Sequence, residues 1–259
     1  MTHQLNKCVF CLRSDGTFSR REHPIPESLG NDDLVLPLGC LCDSCNQYFG
    51  SKVEHDVLNH APFSMERVAQ AIRSKRGRYP LVSGPSFRMQ SSGFWDRFNF
   101  VSEPPHRNLL RLVDGRIALN PKWCDPKLLV RFLLKMGIEL LVFAEEIDPY
   151  APQFDDARSC ARYGNHSDDW DFAIGLFPNR DALVESVRYD EIGPLETRQV
   201  YRYEIGVMVS GDVIFSFMYA QLVLAVNLSR PPTLEYVLGF NESNNFALSS
   251  RWNLCRAKN

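Results

Sequence analysis

Two cysteine pairs with the same internal spacing, Cys8-Val9-Phe10-Cys11 and Cys42-Asp43-Ser44-Cys45, stand near the start of the chain. Each pair lets two thiolates on one tight turn reach the same ion. Four thiolates meet the tetrahedral preference of Zn²⁺ and close its shell, so such a site holds structure and leaves no open position for chemistry. Four unligated core thiols would not explain the pairing. The stretch is too short for a large core, so a metal would carry much of its folding energy. Chemistry, if there is any, lies inside the loop, in Arg21-Glu22-His23-Pro24-Ile25-Pro26, and at Asn46 directly after the second pair. Pro24 and Pro26 hold the backbone extended, where neighbours point to opposite faces, so Glu22 and His23 can serve different partners. Glu22 offers a hard oxygen to a divalent cation. His23 offers a base whose reference pKa, ~6.5, suits proton transfer near neutrality. Asn46 offers a further hard oxygen from the start of a helix.

These residues resemble a known family. Two CxxC knuckles, the run Glu22-His23-Pro24-Ile25-Pro26-Glu27-Ser28-Leu29-Gly30, then Cys42-Asp43-Ser44-Cys45-Asn46 and Phe49-Gly50-Ser51-Lys52 are similar to the HNH endonucleases, the ββα-metal nucleases, in their zinc-containing branch with an EHxIPxxLG signature. The resemblance covers the first 60 or so residues. It implies a β-hairpin and helix gripping one divalent cation, with His23 as general base and Glu22 and Asn46 as metal ligands. It also implies metal-assisted phosphodiester hydrolysis of nucleic acid, DNA in the first instance, with Mg²⁺ or Mn²⁺ as the cation. Many members carry His where this chain has Asn46. Many also carry a middle Asn before the second knuckle, where this chain has Pro37; Asn31 is the nearest candidate.

The remaining sequence must position that stretch. A hydrophobic content of 44% across 259 residues indicates a globular core, and the net charge of −2 gives no bulk attraction to nucleic acid. The charge is uneven. Residues 61–111 hold nine Lys/Arg against three acids, and residues 144–171 hold eight acids against two Arg. No apolar leader follows Met1, so a cytoplasmic setting with reduced thiols is expected. The longest apolar run, Val213 to Leu228, is interrupted by Ser216 and Gln221 and falls short of the ~18–20 residues that span a bilayer. No membrane partner is expected. Cys40 could compete as a ligand, but the spacing favours Cys42 with Cys45. Cys124, Cys160 and Cys255 are scattered.

After Asn46 a helix is expected toward Asn59, with Gly50 its weak point. Counting about 100° per residue places Glu54 some 80° round from Asn46 and His55 opposite. Arg73-Ser74-Lys75-Arg76-Gly77-Arg78 is a basic run, and Arg73, Lys75, Arg76 and Arg78 are candidate phosphate contacts; a solvated linker face is the alternative. Leu110 to Leu119 reads as a hairpin turning on Asp114-Gly115. Asp125-Pro126 starts a helix running to about Glu146, whose Lys127, Arg131, Lys135 and Glu139 form a thin wet stripe. The acidic span 148–171 reads as a solvated loop. From Phe172 onward, runs at 172–177, 198–209, 212–219, 221–228 and 233–238 read as strands.

The expected fold is α+β: a small N-terminal zinc-stapled ββα-metal, treble-clef-like module over 1–61, a basic helical link over 62–93, and a larger mixed domain over 94–259. In the last, a mostly antiparallel sheet packs on the long helix; positioning substrate, dimerising as a homo-oligomer and sensing a signal are its open roles. A non-catalytic zinc module that binds nucleic acid or a protein is the competing reading. A redox role for the CxxC pairs would need a βαβ pattern beside one of them, and none is present.

Overall fold

The computed structural model describes residues 6–74, 77–84, 87–93, 98–102, 111–113, 116–118, 121–167, 170–176, 200–229, 234 and 253–256. Residues 6–42 are turns and extended chain with one 3₁₀ turn, Glu27–Leu29, and no strand. The hairpin that the resemblance implies is therefore reduced to isolated bonds. Leu36 N–H donates to the Glu22 carbonyl and Val9 N–H to the Cys40 carbonyl, each at 2.8 Å. Pro24, Pro26 and Pro37 bring no N–H, so a ladder through these limbs cannot propagate.

Cys42 is the extended residue before α1 (Asp43–Phe49). A single π turn (Gly50–Glu54) joins α1 to α2 (His55–Asn59), closed by His55 N–H on the Gly50 carbonyl. The expected helix to Asn59 is present, and its weak point at Gly50 is where the winding loosens. α3 (Phe63–Ala69) follows, then the strands β1 (Leu81–Ser83), β2 (Phe87–Ser91) and β3 (Phe98–Ser102), which pair in that order as an antiparallel sheet. The span read as a helical link thus carries both helix and strand. β4 (Arg111–Val113) and β5 (Arg116–Ala118) form the expected hairpin, whose Asp114-Gly115 turn lies outside the described residues.

α4 (Pro126–Leu140) begins as expected, the Asp125 carboxylate accepting from Lys127 N–H at 2.9 Å. It ends six residues early, passing into a 3₁₀ turn at Leu141–Phe143. The acidic span expected as a loop contains α5 (Asp155–Tyr163), closed by Gly164 in the left-handed region. Beyond it come β6 (Asp171–Leu176), β7 (Tyr201–Val207), β8 (Val213–Tyr219), β9 (Leu222–Asn227) and β10 (Asn253–Arg256). They pair antiparallel in the order β10-β6-β9-β8-β7. The run at 233–238 lies outside the described residues apart from Leu234. The chain is a mixed helix-and-sheet fold with antiparallel sheets, as expected.

One hydrophobic core runs from the knuckles to this sheet, from Cys8 and Phe49 through Phe63 and Phe132 to Phe217 and Leu228. Phe63 is its pivot, with ring centroids 5.5 Å from Phe132 and 5.9 Å from Tyr219. α4 lies between module and sheet, so both its sides are covered. The C-terminal half of its polar stripe is not wet: Lys135 and Glu139 are fully buried, because that face meets the N-terminal module instead of solvent, while Lys127 and Arg131 are half-buried. The opposite face comes so close to the sheet that a Cβ on Gly137 would stand 2.6 Å from Leu228 Cδ2 and 3.1 Å from Phe215 Cγ. Among the described residues no helix is long and apolar enough to cross a membrane.

Gly137→Leu is expected to destabilise the chain by about 1–3 kcal/mol through overpacking. Urea unfolding measures this, and a variant with the wild-type midpoint would mean that α4 does not seat this closely on β8 and the segment after β9.

Candidate active site

The first part of the site is a cluster of sulfur. The ligand atoms of Cys8, Cys11, Cys42 and Cys45 all lie within 4.8 Å of one another, with the Cys11 and Cys42 sulfurs 3.8 Å apart. A tetrahedron with Zn–S bonds of ~2.3 Å has S···S edges of about 3.8 Å. The donor set and its spacing are compatible with a structural zinc. Burial first, then the neighbouring Cys8 and Cys42, pushes the Cys11 thiol up to about 11. Four thiolates at this spacing repel one another unless a cation sits among them. Cys40, though buried, is not in the cluster.

Local chemistry fixes the loop that leaves the knuckle. Asp43, at the start of α1, accepts from Ser19 Oγ (2.7 Å), Ser19 N–H (2.9 Å) and Arg20 N–H (3.0 Å), which holds its carboxyl down to about 2. Asn31 is fully buried and clamps the loop from inside. Its Nδ2 donates to the carbonyls of Ile25 (2.7 Å) and Leu34 (2.9 Å), and its Oδ1 accepts from Leu34 N–H and the Tyr201 hydroxyl. Gly30 adopts φ +87, and a Cβ there would meet Val200 Cγ2 at 2.7 Å, so the loop turns on glycine against the end of the sheet. Arg67 of α3 donates to the carbonyls of Ser28 and Leu58 at 3.0 Å each, tying the loop to the end of α2.

The result is an open cavity of about 430 Å³ lined by Glu22, His23, Glu27, Asn46 and Glu54, with Arg21 and Ser74 also on its wall. Glu22, His23 and Asn46 are thus brought to one cavity. His23 Nε2 lies 2.9 Å from Glu27 Oε1. Asn46 Nδ2 donates to the Arg21 carbonyl at 3.3 Å, which turns Oδ1 the other way. Glu54 reaches the same wall as Asn46 because each residue of the π turn rotates by less than the ~100° of an α-helix. His55 is well exposed and has no place in the site, and the ring of His60 bonds the Asp56 carbonyl at 2.7 Å.

Residues 8–62 match the family model described as HNH endonuclease. This segment is similar to that family. No curated protein and no solved structure matches the chain. The family acts on nucleic acid, and residues beyond 62 lie outside the match.

The matched segment does not stand alone. Lys135 Nζ of α4 reaches in between Glu22 Oε1 (2.5 Å), Glu54 Oε1 (2.8 Å) and Glu139 Oε2 (3.0 Å), and also lies 3.4 Å from the His23 carbonyl. Burial alone would lower this ammonium. Glu139, Glu22 and Glu54 overturn that and hold it well above its ordinary value. Burial, together with the charges of Glu22 and Glu54, pushes the Glu139 carboxyl up against the pull of Lys135. Arg131, on the same helix, donates to the Tyr48 hydroxyl at 2.6 Å. Arg158 of α5 is buried on the back of the first knuckle, where its Nε donates to the Val9 carbonyl at 2.9 Å.

Sequence reasoning passed over Glu27, Lys135 and Glu139. The signal for the last two was an i,i+4 charge pair inside an otherwise apolar helix, a pattern that demands buried partners. Of the four basic candidates, Arg73 and Arg78 are exposed, and Lys75 and Arg76 lie outside the described residues. Arg73 is stacked over Tyr79, 4.8 Å from the ring centroid, and donates to its hydroxyl.

Purified under reducing conditions, the chain is expected to carry one zinc, and Cys42→Ser is expected to lose it together with the fold of the module. Metal analysis and circular dichroism of the two proteins check this; a zinc-free wild type with native ellipticity would rule the metal out as the staple of this fold.

Proposed function

We propose that the chain is a metal-dependent endonuclease that hydrolyses phosphodiester bonds of nucleic acid, DNA in the first instance, in a cytoplasmic setting. The observation that carries the reading is the single cavity shared by Glu22, His23 and Asn46 inside the segment that matches the HNH endonucleases. On this reading residues 1–61 are the nuclease module, 62–93 a basic link and 94–259 an α+β part that supports them.

His23 is the general base. Glu27, 2.9 Å from Nε2, holds the ring in place, and the imidazole takes the proton of the attacking water. Glu22 and Asn46 hold a divalent cation, Mg²⁺ or Mn²⁺, and hard oxygen donors on an open cavity wall suit either ion. Such a cation supplies charge stabilisation on the phosphoryl and leaving oxygens. The four thiolates keep a structural zinc with a closed shell and take no part in the reaction. Arg73, Lys75, Arg76 and Arg78 meet the phosphates beside the cut. Ser74, which follows Arg73 in the sequence, lines the cavity and supports this reading.

Plasmid nicking with Mg²⁺ or Mn²⁺ tests the reading. Wild type is expected to cut, EDTA to stop it, and His23→Ala to slow it by about 10²–10⁴-fold with zinc retained. An Ala variant cutting at the wild-type rate would end the assignment of His23. A wild type that binds and never cuts would make this a non-catalytic zinc module.

Neutralising Arg73, Lys75, Arg76 and Arg78 together is expected to flatten the salt dependence of DNA binding, by about one unit of log–log slope for each phosphate that these side chains pair with. Binding isotherms at several salt concentrations measure the slope. An unchanged slope would return the run to a solvated surface.

A further inference from the structure

A lysine ammonium is costly to bury, and α4 buries one completely beside the cavity. Lys135 does not line that cavity; it sits behind its wall, with Glu22 and Glu54 between it and the opening. Each of these two carboxylates gives one oxygen, Oε1, to the ammonium. They come from distant parts of the chain, Glu22 from the loop and Glu54 from the π turn, and nothing in either segment alone would bring them to a common point.

We propose that Lys135 is the positioning residue of the cation site, its ammonium pinning Glu22 and Glu54 from behind so that both carboxylates present themselves to a divalent cation in the cavity. The inference rests on the nuclease reading for the existence of that cation site, and adds Glu54 as a second carboxylate of it. The alternative is a competitor: Lys135 as the resident cation of these carboxylates, in place of a metal. Geometry favours the first, because the ammonium occupies the protein side of both carboxylates. Glu22 and Glu54 together also carry more negative charge than the one ammonium offsets. A group that orients a metal-binding carboxylate typically contributes about 10–100-fold in metal affinity.

The two roles differ in the sign of one measurement. Removing a positive charge beside a cation site should tighten cation binding if Lys135 only competes, and weaken it if Lys135 positions the ligands. The experiment is calorimetric titration of Mn²⁺ into the full-length, zinc-loaded chain. Wild type is expected to bind, and Glu22→Gln to lose that binding. Lys135→Met is expected to weaken it by about ten-fold or more despite the lost positive charge, and Glu54→Gln to weaken it with the ammonium still in place. Lys135→Met alone leaves Glu139 buried without its partner and can fail to fold. The double variant Lys135→Met/Glu139→Leu replaces the buried pair with apolar groups, and is expected to keep its zinc and melting profile and to show the same weakening. Mn²⁺ binding as tight as wild type or tighter in the double variant would overturn the positioning role, with nicking activity and the nuclease reading left standing. Wild-type Mn²⁺ binding that Glu22→Gln leaves unchanged would remove the cation site itself, and both readings with it.

Discussion

The structure depends on one constraint: a fully buried ammonium must have carboxylates, and Lys135 finds them on three different elements. Glu139 lies one turn along the same helix, Glu54 on the π turn and Glu22 in the loop between the knuckles. Breaking such a cluster by removing one partner costs about 3–5 kcal/mol, whereas a hydrophobic replacement of the whole would be close to neutral. The cluster therefore adds little net stability. Its effect is on placement: α4 cannot shift along the module by even a turn without leaving a charge unpaired. Arg131 on Tyr48 and Arg158 on the Val9 carbonyl repeat that restriction at the last turn of α1 and behind the knuckle.

The loop that carries Glu22 and His23 needs such outside help, since it has almost no regular structure. A four-thiolate staple fixes its ends and not its middle. Three prolines remove ladder donors from that middle, and Asn31 replaces them with four hydrogen bonds made by one side chain. Gly30 and Arg67 then press the turn after His23 against the sheet end and the helix pair. Glu27 follows from this turn. In the 3₁₀ geometry of Glu27–Leu29 its side chain comes back over the His23 ring, four residues earlier.

What could be read from the sequence was whatever is encoded in local spacing. The two CxxC pairs, the Glu22-His23 step, Asn46 after the second knuckle, the Asp125-Pro126 helix start and the β-branched and aromatic runs from 172 to 228 are of that kind. What could not be read depends on who covers a surface. A stripe of Lys127, Arg131, Lys135 and Glu139 looks the same whether water or carboxylates lie over it, so periodicity placed it in solvent. α5 escaped because its acidic first turn dominates its composition, while Ala157, Cys160 and Ala161 form a buried face too narrow to stand out. Glu54 was put 80° away by assuming uniform α winding across Gly50; one π turn was enough to bring it to the wall with Asn46.

The same geometry bears on how an anionic substrate could approach. Among the described residues the cavity presents Glu22, Glu27 and Glu54 against Arg21, so an approaching phosphate meets carboxylates first. Two unit charges 4 Å apart at an effective dielectric of ~20 interact by about 4 kcal/mol, enough to keep a phosphate out of an uncompensated site. On the proposed reading the order of binding follows: a divalent cation must be in place before the phosphate can enter. Lys135 does not relieve the repulsion at the mouth, because its charge is spent on the far oxygens of the same carboxylates. A buried lysine so placed shapes the site without making it attractive to substrate, and leaves that to the metal.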